Sequence, residues 1–532
     1  MNGLIILISS MILFFAGYVF YGRYLAKKFK LDNNQKTPAH TMKDGVDYVP
    51  TKPIVLLGHH FASIAGAAPI IGPITAAVFG WVPVYLWIII GGIFMGAVHD
   101  FAALVASIRH KAKSIGLVIE EQIGPFGKKL FLIFAWATLV LVLGAFLVIV
   151  AKTFETRPEV ATASSMFILL AVIFGLSIYR LKVNLAVGTL VGIALLFLCI
   201  YIGIQLPIQL NTSTWIWILM GYIFVASVAP VWVLLQPRDY LNSFLLYFLL
   251  IGAFIGIIVT NPVIKLEPYT GFTQDIGYLF PILFVTVACG AISGFHSLVA
   301  SGTTAKQLDK ETHTKPIGYG GMLIESLLAV IALITVAMLT RADYQEFMSA
   351  GGGGPVALFA NGVGNFLSKL GLPLESAISF AALTVSAFAL TSLDTGTRLA
   401  RFGFQEFFTE KGEKQNKWLT NRFMGTAISV GAGGALALSG QWRAIWPLFG
   451  AANQLLAALT LLAVTIWLKN KKTTNWFVRY PMYFMYVMTN CALLILFWNN
   501  ITAHHYFLAF SSLLLLGVSI SMVIHAVKSL KS

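Results

Sequence analysis

The sequence predicts an all-α, polytopic membrane protein of about fifteen transmembrane helices. Its core is expected to be two inverted five-helix repeats containing broken helices. Three observations predict this. Hydrophobic residues make up 58% of the 532 and charged residues only 11%, where a soluble domain is about a quarter charged. Apolar runs of about 18 or more residues recur, each able to cross ~30 Å of hydrocarbon. Two of these runs carry proline near or a little past mid-depth.

The runs cover residues 3–26, 53–79, 82–108, 129–152, 162–179, 184–206, 213–236, 240–262, 278–300, 318–340, 376–395, 422–440, 445–468, 478–498 and 505–527. The first is too long for a signal-peptide core. No basic residue precedes it and no small-x-small cleavage site follows, so it reads as a retained span. The distribution of Lys and Arg tests the count. With the N-terminus outside, Lys152, Arg157, Lys265, Arg341, Lys369 and Arg443 fall in external loops or at external run ends, and the other 30 of the 36 fall in cytoplasmic loops or at cytoplasmic run ends. That is the bias the positive-inside rule demands. A missed span would invert every later loop. The expectation is a multi-pass protein with its N-terminus outside and its C-terminus cytoplasmic.

Several function classes drop out. The net charge of +15 belongs to loops between spans, so it does not point to nucleic acid. Cys199, Cys289 and Cys491 lie within apolar runs, with no metal-ligand or disulfide spacing. No cofactor is called for. No loop is long enough for a catalytic domain, and no GxxxxGK[ST] loop offers an ATP site. The segment GGGGPVALFANGVGNFLSKLGLP, residues 351–373, places Leu358, Phe359, Val363, Phe366 and Leu370 on one helical face. It reads as a surface or re-entrant helix, either an external lid or simple packing.

The stretch GHHFASIAGAAPIIGP, residues 58–73, sits inside the second run. Irregular backbone at that depth is tolerated only where it is buried in protein or lines a cavity. A break over Ala65–Pro69 would free carbonyls of one half-helix and N–H groups of the next. Proline suits the first turn of that second half. The seventh run repeats the pattern at Ala229–Pro230. Spans two to six and seven to eleven would then form two groups of five, the second inverted, as in many secondary transporters. The corresponding divisions are an extra span and basic loop over 1–52, a first repeat over 53–206, a second over 213–400, and extra spans over 401–532. Two helix N-termini at mid-depth favour an anion, most simply a carboxylate.

Ionisable groups within spans are few and are functional candidates by default. His59, His60, Ala65, Gly66, Pro69, Ser227, Pro230, Ser293 and His296 are the candidates for substrate binding. Asp100, with His99 beside it, and Asp394 are the candidates for proton coupling. Ser293, Thr303 and Thr304, in ACGAISGFHSLVASGTTAK, could instead hold sodium. The plainer readings stand beside these. Membrane histidines also hydrogen-bond neighbouring helices, and small residues with hydroxyls also serve close packing. Asp394 could cap a helix end or pair with Arg398. Glu325 stands alone in LIESLLAV, and Asn453 and Gln454 read as interhelix hydrogen bonds.

The motifs GHHFASIAGAAPIIGP, GAVHDF, VAPVWVLLQPRDYL, ACGAISGFHSLVASGTT, SAFALTSLDTGTRLAR and WPLFGAANQLLA extend in one order over residues 50–460. Together they resemble the carbon starvation protein A family of peptide and pyruvate transporters. Longer members carry additional spans. The resemblance implies uptake of small peptides or pyruvate, with protons, across a bacterial plasma membrane during nutrient limitation. It also implies a LeuT-like core of the amino acid–polyamine–cation superfamily. The alternatives from the residues alone are a sodium-coupled amino acid or carboxylate symporter, a channel, and a histidine-ligated haem protein. Haem ligation would need histidine pairs facing each other across helices, and adjacent His59 and His60 point about 100° apart on a helix.

Overall fold

The computed structural model describes residues 2–44, 48–230, 233–349, 351–409 and 418–529. The helices in order are α1 (Gly3–Lys28), α2 (Pro53–Ile64), α3 (Ala68–Ala76), α4 (Trp81–Arg109), α5 (Ile115–Ile123), α6 (Pro125–Thr156), α7 (Pro158–Tyr179), α8 (Leu185–Gln205), α9 (Thr212–Val228) and α10 (Leu235–Thr260). A two-residue hairpin, Thr273–Gln274 with Gly277–Tyr278, leads into an interrupted segment. Its two helical parts are α11 (279–286) and α12 (295–307). Then come α13 (315–337), α14 (Arg341–Met348), α15 (Gly354–Ser368), α16 (Leu374–Phe407), α17 (Arg422–Leu438), α18 (Trp442–Asn470), α19 (Trp476–Thr502) and α20 (Tyr506–Ser529).

Eleven helices among the described residues are long and apolar enough to cross a membrane. The other four predicted runs take different forms. α2 and the stretch 68–79 that opens with α3 are apolar enough together but bend by 48° at the break between them. α9 and α17 are helices of 17 residues. The run predicted over 278–300 is broken. Side chains such as Phe15, Phe20, Leu169 and Leu190 are exposed on the outside of the bundle, as an apolar solvent requires.

Local chemistry sets the helix ends. Proline stands in the first turn of α2, α3, α6, α7 and α15, where its missing N–H costs nothing. Asn211 caps α9 through Thr214 N–H at 2.8 Å. Thr340 and Asp343 form a capping box on α14. Hydrogen bonds from Thr340 hold the Asp343 carboxyl below the usual carboxylate range. The hydrogen bond from the Lys113 ammonium does the same for Glu121 on α5.

The loops sort onto two faces. On one, Gly3 N–H donates to Pro262 C=O (2.7 Å) and Leu266 N–H to Ala337 C=O (3.0 Å). There too Thr212 N–H meets Glu155 (3.2 Å) and Arg157 meets Glu375 (3.3 Å). On the other, Arg109 bonds Glu311 (2.7 Å), Thr51 N–H donates to Gln307 C=O (3.0 Å) and Asn470 donates to Gln122 (3.1 Å).

The structure corrects one break. Ala229–Pro230 does not interrupt a span at mid-depth. Helix α9 ends at Val228, Ala229 is extended (φ −69°, ψ 153°) and Pro230 is exposed. Residues 231–232 lie outside the described residues, and α10 then runs unbroken from Leu235. The second interruption lies instead at 287–294, between α11 and α12. Its cause is tertiary: side chains of α18 satisfy the backbone that unwinding frees. The 351–373 segment forms α15, whose Leu358, Phe359, Val363 and Phe366 are buried, while Leu370 is 39% exposed. Glycines let α15 approach closely: a Cβ on Gly362 would lie 2.5 Å from Thr335 Cβ, and one on Gly364 would lie 2.4 Å from Ile378 Cγ1.

Candidate functional site

Between α2 and α3, Ala65 takes φ −76°, ψ 68°, which stops the helix. Gly66 N–H turns back to Ile64 C=O at 2.8 Å. Pro69 stands in the first turn of α3, as expected. Gly66 has no room for a side chain, since a Cβ would lie 2.4 Å from Ser392 Oγ on α16.

The second break is held from α18. Asn453 C=O accepts from Gly294 N–H (3.0 Å), and its Oδ1 accepts from Phe295 N–H (2.9 Å). Its Nδ2 donates to Ser293 Oγ (3.0 Å). Gln454 Nε2 donates to Phe284 C=O (2.8 Å), capping α11. One amide side chain thus caps the start of α12, and its neighbour caps the end of α11. Each supplies partners that dry surroundings cannot.

The two breaks face each other. A Cβ on Gly72 would lie 2.7 Å from Thr286 C=O. Gly66, Ala68, Cys289, Phe295, Ser392 and Phe146 line a shared cavity of ≈ 10 Å³, about the space of one water. Among the described residues, the breaks leave no larger space between them.

Beside it lies a buried cluster of acids and imidazoles. Asp100 Oδ1 accepts from His99 Nδ1 and Oδ2 from His296 Nδ1, each at 2.7 Å. His296 Nε2 lies 3.3 Å from Glu325 Oε2 on α13. All four side chains are 0% exposed. His60 Nδ1 pairs with Thr304 Oγ1 at 2.8 Å. Its ring also lies 3.3 Å from where a Cβ on Gly321 would be, one turn before Glu325. The sequence candidates His60, His99, Asp100 and His296 therefore meet, and Glu325 joins them.

Other candidates are dispersed. His59 is half-buried, and its carbonyl accepts from Ser63 (2.9 Å). Ser227 pairs with Thr426 (3.1 Å), away from the cavity. The proposed sodium trio does not converge. Ser293 bonds Asn453, Thr304 bonds His60, and Thr303 Oγ1 returns to Val299 C=O in its own helix (2.9 Å). Asp394 does not pair with Arg398. It accepts from Arg238 and from Tyr222 Oη (2.7 Å for the latter). Arg238, only 2% exposed, also meets Asp239 at 3.3 Å. Arg398 donates to the Ala226 and Ala229 carbonyls (2.9 and 2.7 Å), closing the end of α9. Sequence reasoning placed Arg238 and Asp239 in a loop. The neighbouring LTSLDTG motif, with Ser392 and Asp394, was the available signal for both sites.

The fold and site define a polytopic helical membrane protein organised around two paired, interrupted helices. Comparison gives the family: residues 2–353 and 347–492 match the model described as "Carbon starvation protein CstA". The chain belongs to that family. It is 35% identical to the "Peptide transporter CstA" of Bacillus subtilis (strain 168), over 92% of this chain and 90% of that one. It is 32% identical to the "Pyruvate/proton symporter BtsT" of Escherichia coli (strain K12), over 92% of this chain and 81% of that one. Among solved structures, MhsT in complex with L-phenylalanine aligns with 84% of this chain and 98% of its own, at 13% identity and a TM-score of 0.49.

Proposed function

We propose that the protein is a secondary active transporter that brings small peptides or pyruvate into the cell with protons. The names of its relatives supply the substrate classes. The observation that carries the reading is the juxtaposition of two helix breaks at one closed cavity with the buried Asp100–His296–Glu325 cluster. Helix breaks offer backbone polar groups to a substrate. A buried group that gains and loses a proton couples that binding to a gradient. The cavity in this state admits neither substrate, so transport requires the helices to part.

The inverted-repeat reading is kept with both groups redrawn: the first, expected over 53–206, loses α7 and α8 and takes α9 and α10, and the second, expected over 213–400, begins at α11 and runs to α18. In it, α2/α3, α4, α6, α9 and α10 correspond to α11/α12, α13, α16, α17 and α18, and α7 and α8 are a peripheral hairpin. Three features support this. Each group opens with a broken helix. The short α5 between α4 and α6 answers to α15 between α13 and α16. Last, α10 packs on α15 as α18 packs on α5. The external N-terminus rests on the Lys and Arg bias.

The test is uptake into proteoliposomes of labelled pyruvate and a dipeptide panel under imposed proton or sodium gradients. Accumulation of one of these above equilibrium, driven by a pH gradient, is expected. Accumulation driven by sodium alone would refute proton coupling, and no accumulation of any of them would refute the substrate assignment.

A further inference from the structure

The cluster contains two buried carboxyl groups in unlike surroundings. Asp100 is satisfied: each oxygen accepts a 2.7 Å hydrogen bond from an imidazole Nδ1. Glu325 is not. Among the described residues neither of its oxygens has a hydrogen-bond partner, and His296 Nε2 lies 3.3 Å from its Oε2. Both residues are 0% exposed. The groups that act on Glu325 from neighbouring elements are His296 of α12, Asp100 of α4 and the thiol of Cys289 in the unwound segment. His60 of α2 lies one turn away along α13.

The Asp100 contact decides the tautomer of His296. Nδ1 must carry a hydrogen to donate to the carboxylate, so a neutral ring presents the Nε2 lone pair to Glu325. A carboxylic acid at Glu325 can donate its O–H there. An ionised Glu325 beside a neutral ring would put a second buried anion against a lone pair, so one proton must lie between them, on the Glu325 carboxyl or on Nε2. From this geometry, and resting on the proton-coupled reading above, we infer that Glu325 carries the transported proton in this closed state, shared with His296. Asp100 is the positioning residue that stays ionised and aims the ring.

The chemistry balances as a single proton transfer. The Glu325 O–H bond breaks, its electron pair stays on the carboxylate, and the proton passes to water that enters when the helices part. Glu325 then needs that water as hydrogen-bond donor. The deprotonated cluster therefore belongs to an open state and the protonated one to the closed state. This links proton release to substrate release.

The experiment uses full-length protein in proteoliposomes, with whichever of labelled pyruvate or dialanine the wild type exchanges. Two assays run in parallel: exchange of substrate at equal pH, and accumulation driven by an inward pH gradient. Glu325→Gln keeps a donor toward Nε2 but cannot release a proton. It should retain exchange and lose at least tenfold of the driven accumulation. Asp100→Asn should lose both, because the ring is no longer aimed. Glu325→Asp should restore driven accumulation with a displaced pH profile. Wild-type accumulation by folded Glu325→Gln overturns the inference, as does an Asp100→Asn protein that keeps exchange and loses only the driven component. If Glu325→Gln does not fold, an unaltered pH profile in Glu325→Asp overturns it. A wild type that exchanges substrate but ignores the pH gradient overturns the proton reading itself, whatever the variants do.

Discussion

Asn453→Ala isolates what holds the second break open. The substitution removes the acceptor for Phe295 N–H and the donor to Ser293. The backbone bond from Gly294 N–H remains. An orphaned buried donor costs about 1–3 kcal/mol. An interhelix side-chain bond in a membrane protein averages about 0.6 kcal/mol, so the Ser293 contact is the smaller term. With the void left by the amide, the loss is about 2–4 kcal/mol, or roughly 30- to 700-fold in a local opening equilibrium. Cys289 reports that opening. It lies in the unwound segment, is 6% exposed, and touches Asn453 Nδ2 at 3.5 Å. In a Cys199→Ser, Cys491→Ser background, N-ethylmaleimide should modify Cys289 faster in Asn453→Ala by a factor in that range. Asn453→Asp keeps the acceptor for Phe295 and should fall between. A folded Asn453→Ala protein whose Cys289 reacts at the wild-type rate would refute the view that this side chain holds the segment.

Two further outcomes follow from charge. Arg238→Ala strands Asp394 and Asp239 in a buried site and should cost about 3–5 kcal/mol, while Arg238→Ala with Asp394→Ala should cost less; equal melting of Arg238→Ala and wild type in detergent would remove the ion pair from the stability account. A cysteine at Asn2 should react with an impermeant maleimide added outside intact cells and one at Lys471 should not, and the opposite labelling would reverse the proposed orientation.

Much of the fold was legible because membranes punish exceptions. The first break was visible in Gly66 and Pro69, since an apolar span has no local use for either. The second was not. ACGAISGF contains no proline, and its small residues read equally well as close packing. It unwinds because Asn453 and Gln454 stand opposite it, more than 150 residues later in the chain. Ala229–Pro230 gave the stronger local signal and marks only a helix end, sealed by Arg398. The i, i+4 spacing of Asp394 and Arg398 suggested a pair within one helix, yet each turns to a different partner on α9 or α10. Sequence spacing reports neighbours along a helix, and these partners are set by packing across it. The acid–imidazole cluster was recognised residue by residue, because each member is costly alone. That Glu325 belongs to it required the register of α13 against α12.

The strap on the second face bears on how the chain is made. Asp32 N–H and Arg109 both bind Glu311, Thr37 donates to Leu308 C=O, and His40 meets Asp309. During synthesis the first loop and the end of α4 emerge some two hundred residues or more before those partners exist. Until residue 311 leaves the ribosome, the early spans can be inserted but not fastened, and the polar groups of that loop must stay in water. The protein is thus stitched from its beginning to its middle late in translation. A chain arrested anywhere before that point has its early spans in place with their ends on this face still loose.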